Sequence, residues 1–319
     1  MSRASLAVRA QRALAPAKVN LGLSVGPTRA SDGRHELVTV MQSISLADVV
    51  TLEPAAPGAE ADELVCPGVG GAPAENLAAR ALAEFRDATG WRAPPLRVSI
   101  DKRIPVAAGL AGGSADAAAT LRLAGSASGL AGPELLREIG ERLGADVPAQ
   151  LAPGRWLASG AGERLQALPA PASALGLLLL PAHVELSTAA VYAEADRLGL
   201  PRSREELERR GMQLGAALAH GAALPAAREL LCNDLQPAAL SLCAQIELAL
   251  AQALDCGAEV ALVCGSGPTV AGLFAGERAQ ERLQRAAAQP AARAAGAIAA
   301  RPVGADFARP LALGAPPLA

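Results

Sequence analysis

Residues 105–120 read P-V-A-A-G-L-A-G-G-S-A-D-A-A-A-T and carry the pattern with the most chemical information in this chain. Gly109, Gly112 and Gly113 follow an extended segment, and the pattern predicts a helix of small residues that begins at Ser114. Glycines leave backbone N–H groups unobstructed, and the start of a helix adds a partial positive charge. The segment therefore predicts an anion site that suits a phosphate chain.

The spacing of these glycines differs from two common phosphate-binding patterns. No Lys follows Gly113, which excludes G-x-x-x-x-G-K-[ST], and the order of residues is not G-x-G-x-x-G. A tight turn that packs a helix against a sheet would also explain such a segment in a chain so rich in Ala. The choice between the two explanations depends on other motifs.

Five further motifs accompany this segment along the chain. They are A-P-A-K-V-N-L at 15–21, D-G-R-H-E-L at 32–37, G-A-D-V-P at 144–148, C-N-D-L at 232–235 and G-S-G-P-T at 265–269. In this order and at these separations, the set resembles the GHMP small-molecule kinase superfamily over residues 14–303. The D-G-x-H-E-L element and the K-x-I-P…G-L-x-G-G-S-x-D-A-A segment resemble the branch that phosphorylates 4-diphosphocytidyl-2-C-methyl-D-erythritol.

The resemblance implies ATP and Mg²⁺ as cofactors. We expect Lys102 and Asn76 to lie near the nucleotide, and the Ser114 hydroxyl to cap the helix and, more weakly, to contact Mg²⁺. The residues implied to bind the ATP phosphates are Pro105, Val106, Ala107, Ala108, Gly109, Leu110, Ala111, Gly112, Gly113 and Ser114.

The resemblance also implies a catalytic pair. By itself Asp146 reads as an exposed loop acid and Lys18 as a solvated surface residue. The family places its catalytic Asp in the G-A-D-V-P element, where it would accept or orient the proton of the attacking hydroxyl. Lys18 would keep that carboxylate ionised and stabilise developing oxyanion charge, and Asn20 would hydrogen-bond the same hydroxyl region.

Substrate recognition is implied for the D-G-R-H-E-L element. In the family His35 reads the cytosine edge, although locally it could be a histidine satisfied at the start of a strand. Arg34 stands where the family usually has a stacking Tyr, so we expect cytosine between Arg34 and Tyr192, the only Tyr of the chain. The residues implied to face the substrate diphosphate are Gly265, Ser266 and Gly267. Asp234 is predicted to cap or brace the helix that follows it.

The implied function is ATP-dependent phosphorylation of the 2-hydroxyl of 4-diphosphocytidyl-2-C-methyl-D-erythritol in the non-mevalonate isoprenoid pathway. Two alternatives stay open. One is a GHMP kinase for another small alcohol, such as mevalonate or homoserine, and the other is a nucleotide-binding homologue without catalysis. Lys18, Asp146 and the intact glycine segment favour catalysis.

The implied fold is α+β with two lobes, the first like domain 2 of ribosomal protein S5 and the second ferredoxin-like. We expect residues 13–168 to form the ATP-binding lobe and 172–308 the second lobe, with disordered segments at 1–12 and 309–319. Whether 1–12 belong to the mature protein is open. Pattern predicts strands at 36–46 and 49–52 around a turn at Ala47 and Asp48, and one helix over 237–254.

Composition restricts the partners. The net charge is −2, without blocks of like charge, and only 2% of residues are aromatic, which argues against nucleic acid. The five cysteines are scattered, as in a reduced cytoplasmic protein, and no apolar run has the length of a membrane span. We expect a cytoplasmic enzyme for a small molecule, monomeric or weakly dimeric, without membrane contact.

Overall fold

The computed structural model of the protein describes residues 8–182 and 184–313. The strands in these ranges are β1 (Gln11–Thr28), β2 (His35–Pro54), β3 (Glu63–Val65), β4 (Leu96–Asp101), β5 (Arg155–Ser159), β6 (Arg164–Leu168), β7 (Leu175–Leu180), β8 (Val260–Val263), β9 (Val270–Ala275), β10 (Ile298–Ala300) and β11 (Leu311–Ala312). The α-helices are α1 (Leu77–Thr89), α2 (Gly112–Ser128), α3 (Pro133–Leu143), α4 (Val147–Leu151), α5 (Thr188–Arg197), α6 (Arg204–Leu218), α7 (Gln236–Leu242), α8 (Gln245–Asp255), α9 (Ala279–Ala288) and α10 (Pro290–Ala294).

The first lobe is built on a sheet with strand order β11-β1-β2-β4-β3, to which β5 and β6 are added through β2. The long hairpin of β1 and β2 shifts register between Pro16 and Lys18 and again between Asn20 and Leu23. Such bulges re-aim the side chains beside them. Lys18 and Asn20 therefore leave the regular alternation at the point where the site forms.

Helix α2 packs closely behind this sheet because its buried face consists mainly of alanines. It contacts β1, β2 and α1, and the residues from Ala115 to Leu121 are all buried. Small side chains allow the helix axis to approach the sheet, which brings the start of α2 to the end of the cleft between the lobes. The alanines of α2 thus allow close packing on the sheet, and they also help to position the segment 105–111 that precedes the helix.

The second lobe contains an antiparallel sheet with strand order β10-β7-β9-β8. In chain order within this lobe, that is fourth, first, third, second, the arrangement of a ferredoxin-like fold. Helices α8 and α9 pack on the sheet, and Phe274 and Ile246 are fully buried in its core. The predicted α+β fold with two lobes is confirmed.

Residues near both ends of the described chain form paired strands, although the sequence predicted disordered segments at 1–12 and 309–319. Gln11 and Arg12 pair with Ala312 and Leu311, so β11 forms the edge of the first sheet. The prediction of disorder is wrong for these residues, because each end supplies hydrogen-bond partners to the other. The rest of that prediction, for 1–7 and 314–319, lies outside the described residues. Helix α6 also packs on β1 and β2, although sequence assigned it to the second lobe.

Two predicted boundaries are wrong. Strand β2 runs through Ala47 and Asp48 without a turn. Asp48 is fully buried in the strand and accepts hydrogen bonds from the backbone N–H groups of Arg103 and Ile104, so a charged residue that suggested a turn has partners in the core. The helix predicted over 237–254 is two helices, because the chain leaves helical geometry at Cys243.

Candidate active site

A cleft of about 870 Å³ lies between the two lobes. It is lined from the first lobe by the glycine loop (residues 105–114), β1, β2 and the turn at 161–162. From the second lobe it is lined by the start of α5 and by the second-lobe turn (residues 265–269). The structure brings every predicted site residue to this cleft except Gly267, which does not line it.

The glycine loop is held in a strained shape at the end of the cleft. Ala107 and Ala111 adopt φ values of 52° and 56°, in the left-handed region that residues other than glycine rarely occupy. Helix α2 begins at Gly112, and no side chain caps it. The prediction that Ser114 caps the helix is therefore wrong, because the helix starts two residues earlier and leaves its first N–H groups facing the loop.

Gly109 is where the lobes touch. Its φ is 74°, and a Cβ there would lie 1.9 Å from the carbonyl oxygen of Cys264, just before the second-lobe turn. The backbone of β1 holds the other side of the loop, since the Lys18 N–H donates to the Leu110 carbonyl at 3.1 Å. The loop is thus clamped between the strand of Lys18 and the second lobe.

Lys18 and Asp146 form the ion pair of the cleft. Lys18 Nζ lies 3.6 Å from Asp146 Oδ2, and the Lys18 side chain is only 9% exposed. The ammonium also donates to Asn20 Oδ1 at 2.9 Å, and Asn20 Nδ2 donates to Thr39 Oγ1 at 2.8 Å. Asn20 therefore orients the ammonium, while Asp146, at the start of α4, has no side-chain capping bond that would turn its carboxylate away.

His35 and Tyr192 meet in the same cleft. Their ring centroids are 5.2 Å apart, with an interplanar angle of 31°. His35 Nδ1 lies 2.9 Å from the Gly26 carbonyl, which can only accept, so Nδ1 carries the hydrogen. Burial, reinforced by the negative charge of Asp146, raises the pKa of Tyr192 to about 12, so its hydroxyl stays protonated. The two rings form an apolar platform with polar edges.

Arg34, next to His35 in the chain, makes no cation–π contact with the Tyr192 ring among the described residues. Its Nη2 donates to the Ala161 carbonyl at 2.6 Å, and the residue is exposed at the cleft wall. The ring next to Tyr192 is that of His35. The placement of cytosine between Arg34 and Tyr192 stays a prediction.

Asn233 is a positioning residue whose role the sequence did not reveal. Its Nδ2 donates to the carbonyls of Val263 and Gly265, at 2.8 and 2.7 Å, and its Oδ1 accepts from the Leu235 N–H. These bonds hold the second-lobe turn against β1. Ser266 within the turn also bonds the Thr188 hydroxyl at 2.9 Å, which joins the turn to α5.

The prediction that Asp234 caps or braces the following helix is wrong. Helix α7 begins at Gln236 without a side-chain cap. Instead, the Asp234 carboxylate accepts from the Arg202 guanidinium at 2.6 and 2.7 Å and from the Val25 N–H at 3.0 Å. It therefore ties the second lobe to the end of β1.

A second charge cluster joins Lys102, which the sequence predicted near the nucleotide, to Asp48 and Asp116, which it did not single out. Lys102 donates to Asp48 and, at 2.8 Å, to Asp116 Oδ2. Asp116 Oδ1 is buried and has no hydrogen-bond partner among the described residues. Burial raises the pKa of Asp116 to about 7, with Lys102 opposing and Asp48 reinforcing the shift. The signal in the sequence was an Asp on the buried face of an alanine helix.

Residues 8–182 and 184–313 contain no group of three or more His, Cys, Asp or Glu residues arranged to hold a metal ion. No helix in them has the length and apolarity to cross a membrane.

Comparison with known proteins agrees with this geometry. The model of the N-terminal domain of GHMP kinases matches residues 76–154, and that of the C-terminal domain matches 205–293. A 4-diphosphocytidyl-2-C-methyl-D-erythritol kinase of Corynebacterium efficiens is 41% identical over 80% of this chain and 82% of its own length. The same-named protein of Streptomyces coelicolor is 44% identical over 80% of this chain and 85% of its own.

Solved structures agree as well. A crystal structure of a 4-(cytidine 5′-diphospho)-2C-methyl-D-erythritol kinase superposes with a TM-score of 0.70 at 33% identity, covering 92% of this chain and 100% of its own. A homoserine kinase from Cytophaga hutchinsonii also reaches 0.70, at 17% identity over 98% of this chain and 99% of its own, and shows the fold alone. The chain belongs to the GHMP kinases, in the family of the 4-diphosphocytidyl-2-C-methyl-D-erythritol kinases.

Proposed function

We propose that the protein transfers the γ-phosphoryl group of ATP to the 2-hydroxyl of 4-diphosphocytidyl-2-C-methyl-D-erythritol. The observation that carries the proposal is one continuous cleft with three stations. The glycine loop, the Lys18–Asp146 pair and the His35–Tyr192 platform all line it, and the backbone of Lys18 is hydrogen-bonded to the loop at Leu110. A phosphate donor, a reacting hydroxyl and a base-bearing substrate need these three features in one cleft.

The glycine loop would bind the ATP phosphates through its backbone. Phosphoryl transfer depends mainly on positioning and on neutralising phosphate charge. The N–H groups that begin α2 lack intrahelical partners and carry the positive end of the helix dipole. The contact between Gly109 and Cys264 would hold the loop in place while the lobes enclose the nucleotide.

Asp146 would receive or orient the proton of the attacking hydroxyl. Lys18, held by Asn20, would stabilise the negative charge that develops on that oxygen. Because Asn20 Oδ1 already accepts from Lys18, the amide acts first as a positioning group, with a second N–H available to the substrate hydroxyl.

The residues of the cleft fit Mg²⁺ bound mainly through ATP. Mg²⁺ is commonly held by one or two protein oxygens together with substrate phosphates, and a cage of protein ligands is not needed. Ser114, on the first turn of α2 and lining the cleft, offers one such hydroxyl oxygen. When bound, the ion would neutralise phosphate charge. The proposal includes a cytoplasmic, monomeric or weakly dimeric enzyme.

The deciding experiment is ADP release from Mg·ATP by the purified protein, with 4-diphosphocytidyl-2-C-methyl-D-erythritol, mevalonate and homoserine as separate acceptors. We expect release that depends on the cytidyl substrate alone, and a product phosphorylated at the 2-hydroxyl by ³¹P NMR. Release with another alcohol would replace the proposed substrate. ATP binding without release for any acceptor would favour a homologue without catalysis.

A further inference from the structure

Arg34 is the one cation of the cleft wall that forms no ion pair among the described residues. Of the other cations, Lys18 is paired with Asp146, and Lys102 is paired with Asp48 and Asp116. The guanidinium of Arg34 makes a single side-chain hydrogen bond, from Nη2 to the neutral Ala161 carbonyl. Its remaining N–H donors are available to a ligand.

The two carboxylates near Arg34, those of Asp32 and Glu163, form their ion pairs with another residue. Arg29 pairs with both Asp32 and Glu163. Asp32 is further engaged by the Arg34 backbone N–H at 3.1 Å, and Glu163 accepts from the Ala161 N–H at 2.6 Å. The formal charges of these two acids and two arginines balance, but Arg29 makes the ion pairs with both acids, and the Arg34 guanidinium makes none. Of these four residues only Arg34 lines the cleft, so its unpaired guanidinium is the one placed to meet an anionic ligand there.

Arg34 also lines the same cleft as His35, Tyr192 and Asp146 and directly precedes His35 in the chain. The Tyr192 hydroxyl is within electrostatic reach of both Asp146, which raises its pKa, and Arg34, which lowers it. A substrate whose base lies on the His35–Tyr192 platform and whose hydroxyl reaches Asp146 must carry its connecting group between these residues. In a nucleoside diphosphate ester, the connecting group is the dianionic diphosphate.

We infer that Arg34 binds the diphosphate of the substrate, and that the cytosine is recognised by the His35–Tyr192 platform without a guanidinium stacked on it. The inference rests on the proposed function and makes Arg34 a specificity-determining residue. An arginine suits this role because its planar fork can donate two N–H groups to phosphate oxygens. The enzyme would then favour a diphosphate ester over a neutral nucleoside through this one side chain.

The test measures binding of cytidine, CMP and CDP by isothermal titration calorimetry, with a non-hydrolysable ATP analogue saturating the nucleotide site. The variants are Arg34→Gln, Arg34→Lys and Arg34→Tyr. Arg204→Gln is the matched control. Arg204 pairs with Glu36, which belongs to the same D-G-R-H-E-L element as Arg34, and Arg204 does not line the cleft. Cytidine, CMP and CDP share the same base and sugar and differ only in the number of phosphates. Comparing them therefore distinguishes binding of the base from binding of the phosphates.

We expect Arg34→Gln to weaken CDP binding by about 10-fold or more and to leave cytidine binding within about twofold. Arg34→Lys should keep part of the CDP affinity, Arg34→Tyr should lose it, and Arg204→Gln should change neither ligand. An equal loss for cytidine and CDP, or full CDP affinity in Arg34→Tyr, would show base stacking and overturn the inference. If the wild-type protein bound none of the three ligands, the proposed substrate itself would fail.

Discussion

Lys18 Nζ lies 3.6 Å from Asp146 Oδ2, and the lysine side chain is 9% exposed while the aspartate side chain is 31% exposed. The cation is thus buried and oriented, and the carboxylate is open to the cleft. That asymmetry suits a reaction in which the carboxylate meets the substrate proton and the ammonium supports the oxygen that loses it.

Asp146→Asn is expected to lower kcat by about 10²–10⁴-fold, because the amide keeps the shape of the side chain and removes the proton acceptor. The KM for ATP should change little, since Asp146 is not part of the glycine loop. Steady-state ADP release gives both constants. A kcat near that of the wild type would remove Asp146 from the reaction.

Lys18→Met is expected to lower kcat by about 10²–10³-fold, because the apolar chain retains the buried methylenes and loses the charge that stabilises the oxyanion. Thermal unfolding serves as the control, since methionine fits a buried position and should preserve the fold. A loss of activity that only followed a loss of folded protein would make Lys18 structural.

Gly109→Ala is expected to impair both ATP binding and stability. The left-handed φ of 74° costs an L-residue about 1–2 kcal/mol, and the clash with the Cys264 carbonyl adds about 1–3 kcal/mol. Gly90→Ala is the matched control, because Gly90 has a φ of 66° and open space around its Cβ position.

Urea denaturation of the two glycine variants isolates the clash. Gly90→Ala should show only the backbone strain, with an unchanged KM for ATP. Gly109→Ala should be less stable than Gly90→Ala and should have a higher KM for ATP. Equal destabilisation of Gly109→Ala and Gly90→Ala would mean that the backbone around Cys264 moves aside for the added methyl group without a loss of stability.

Asp116→Asn is expected to change the pH dependence of stability. The pKa of Asp116 is about 7 in the folded protein, chiefly through burial, and about 3.9 in an unfolded chain. The folded state therefore binds more protons between about pH 4 and pH 7, so the free energy of unfolding falls as pH rises through this range.

The Asn variant cannot ionise, so its stability relative to the wild type should rise by about 1.4 kcal/mol per pH unit at most, from pH 5 to pH 7. Chemical denaturation at several pH values measures the difference. Asp101→Asn, at an exposed carboxylate on β4, is the control. A difference between Asp116→Asn and wild type that is independent of pH would contradict a raised pKa in Asp116.

Several features of the protein were predicted from the sequence, through its motifs and the family that they resemble. The glycines of 105–114, with alanines directly after them, indicate a phosphate loop that leads into a helix. The ferredoxin-like second lobe and the roles expected for Lys18 and Asp146 were implied by the family that the motifs resemble. Each of these depends on neighbouring residues or on a short motif, which a linear reading can detect.

The tertiary structure decided which polar groups would be buried together. Asp48 resembles a turn residue in sequence, but in the fold it holds the backbone before the glycine loop and pairs with Lys102. The roles of Asn233 and Arg34 likewise depend on carbonyls far away in the chain. A charge stays buried only where distant segments supply its partners, and the identity of those partners is a property of the packed lobes.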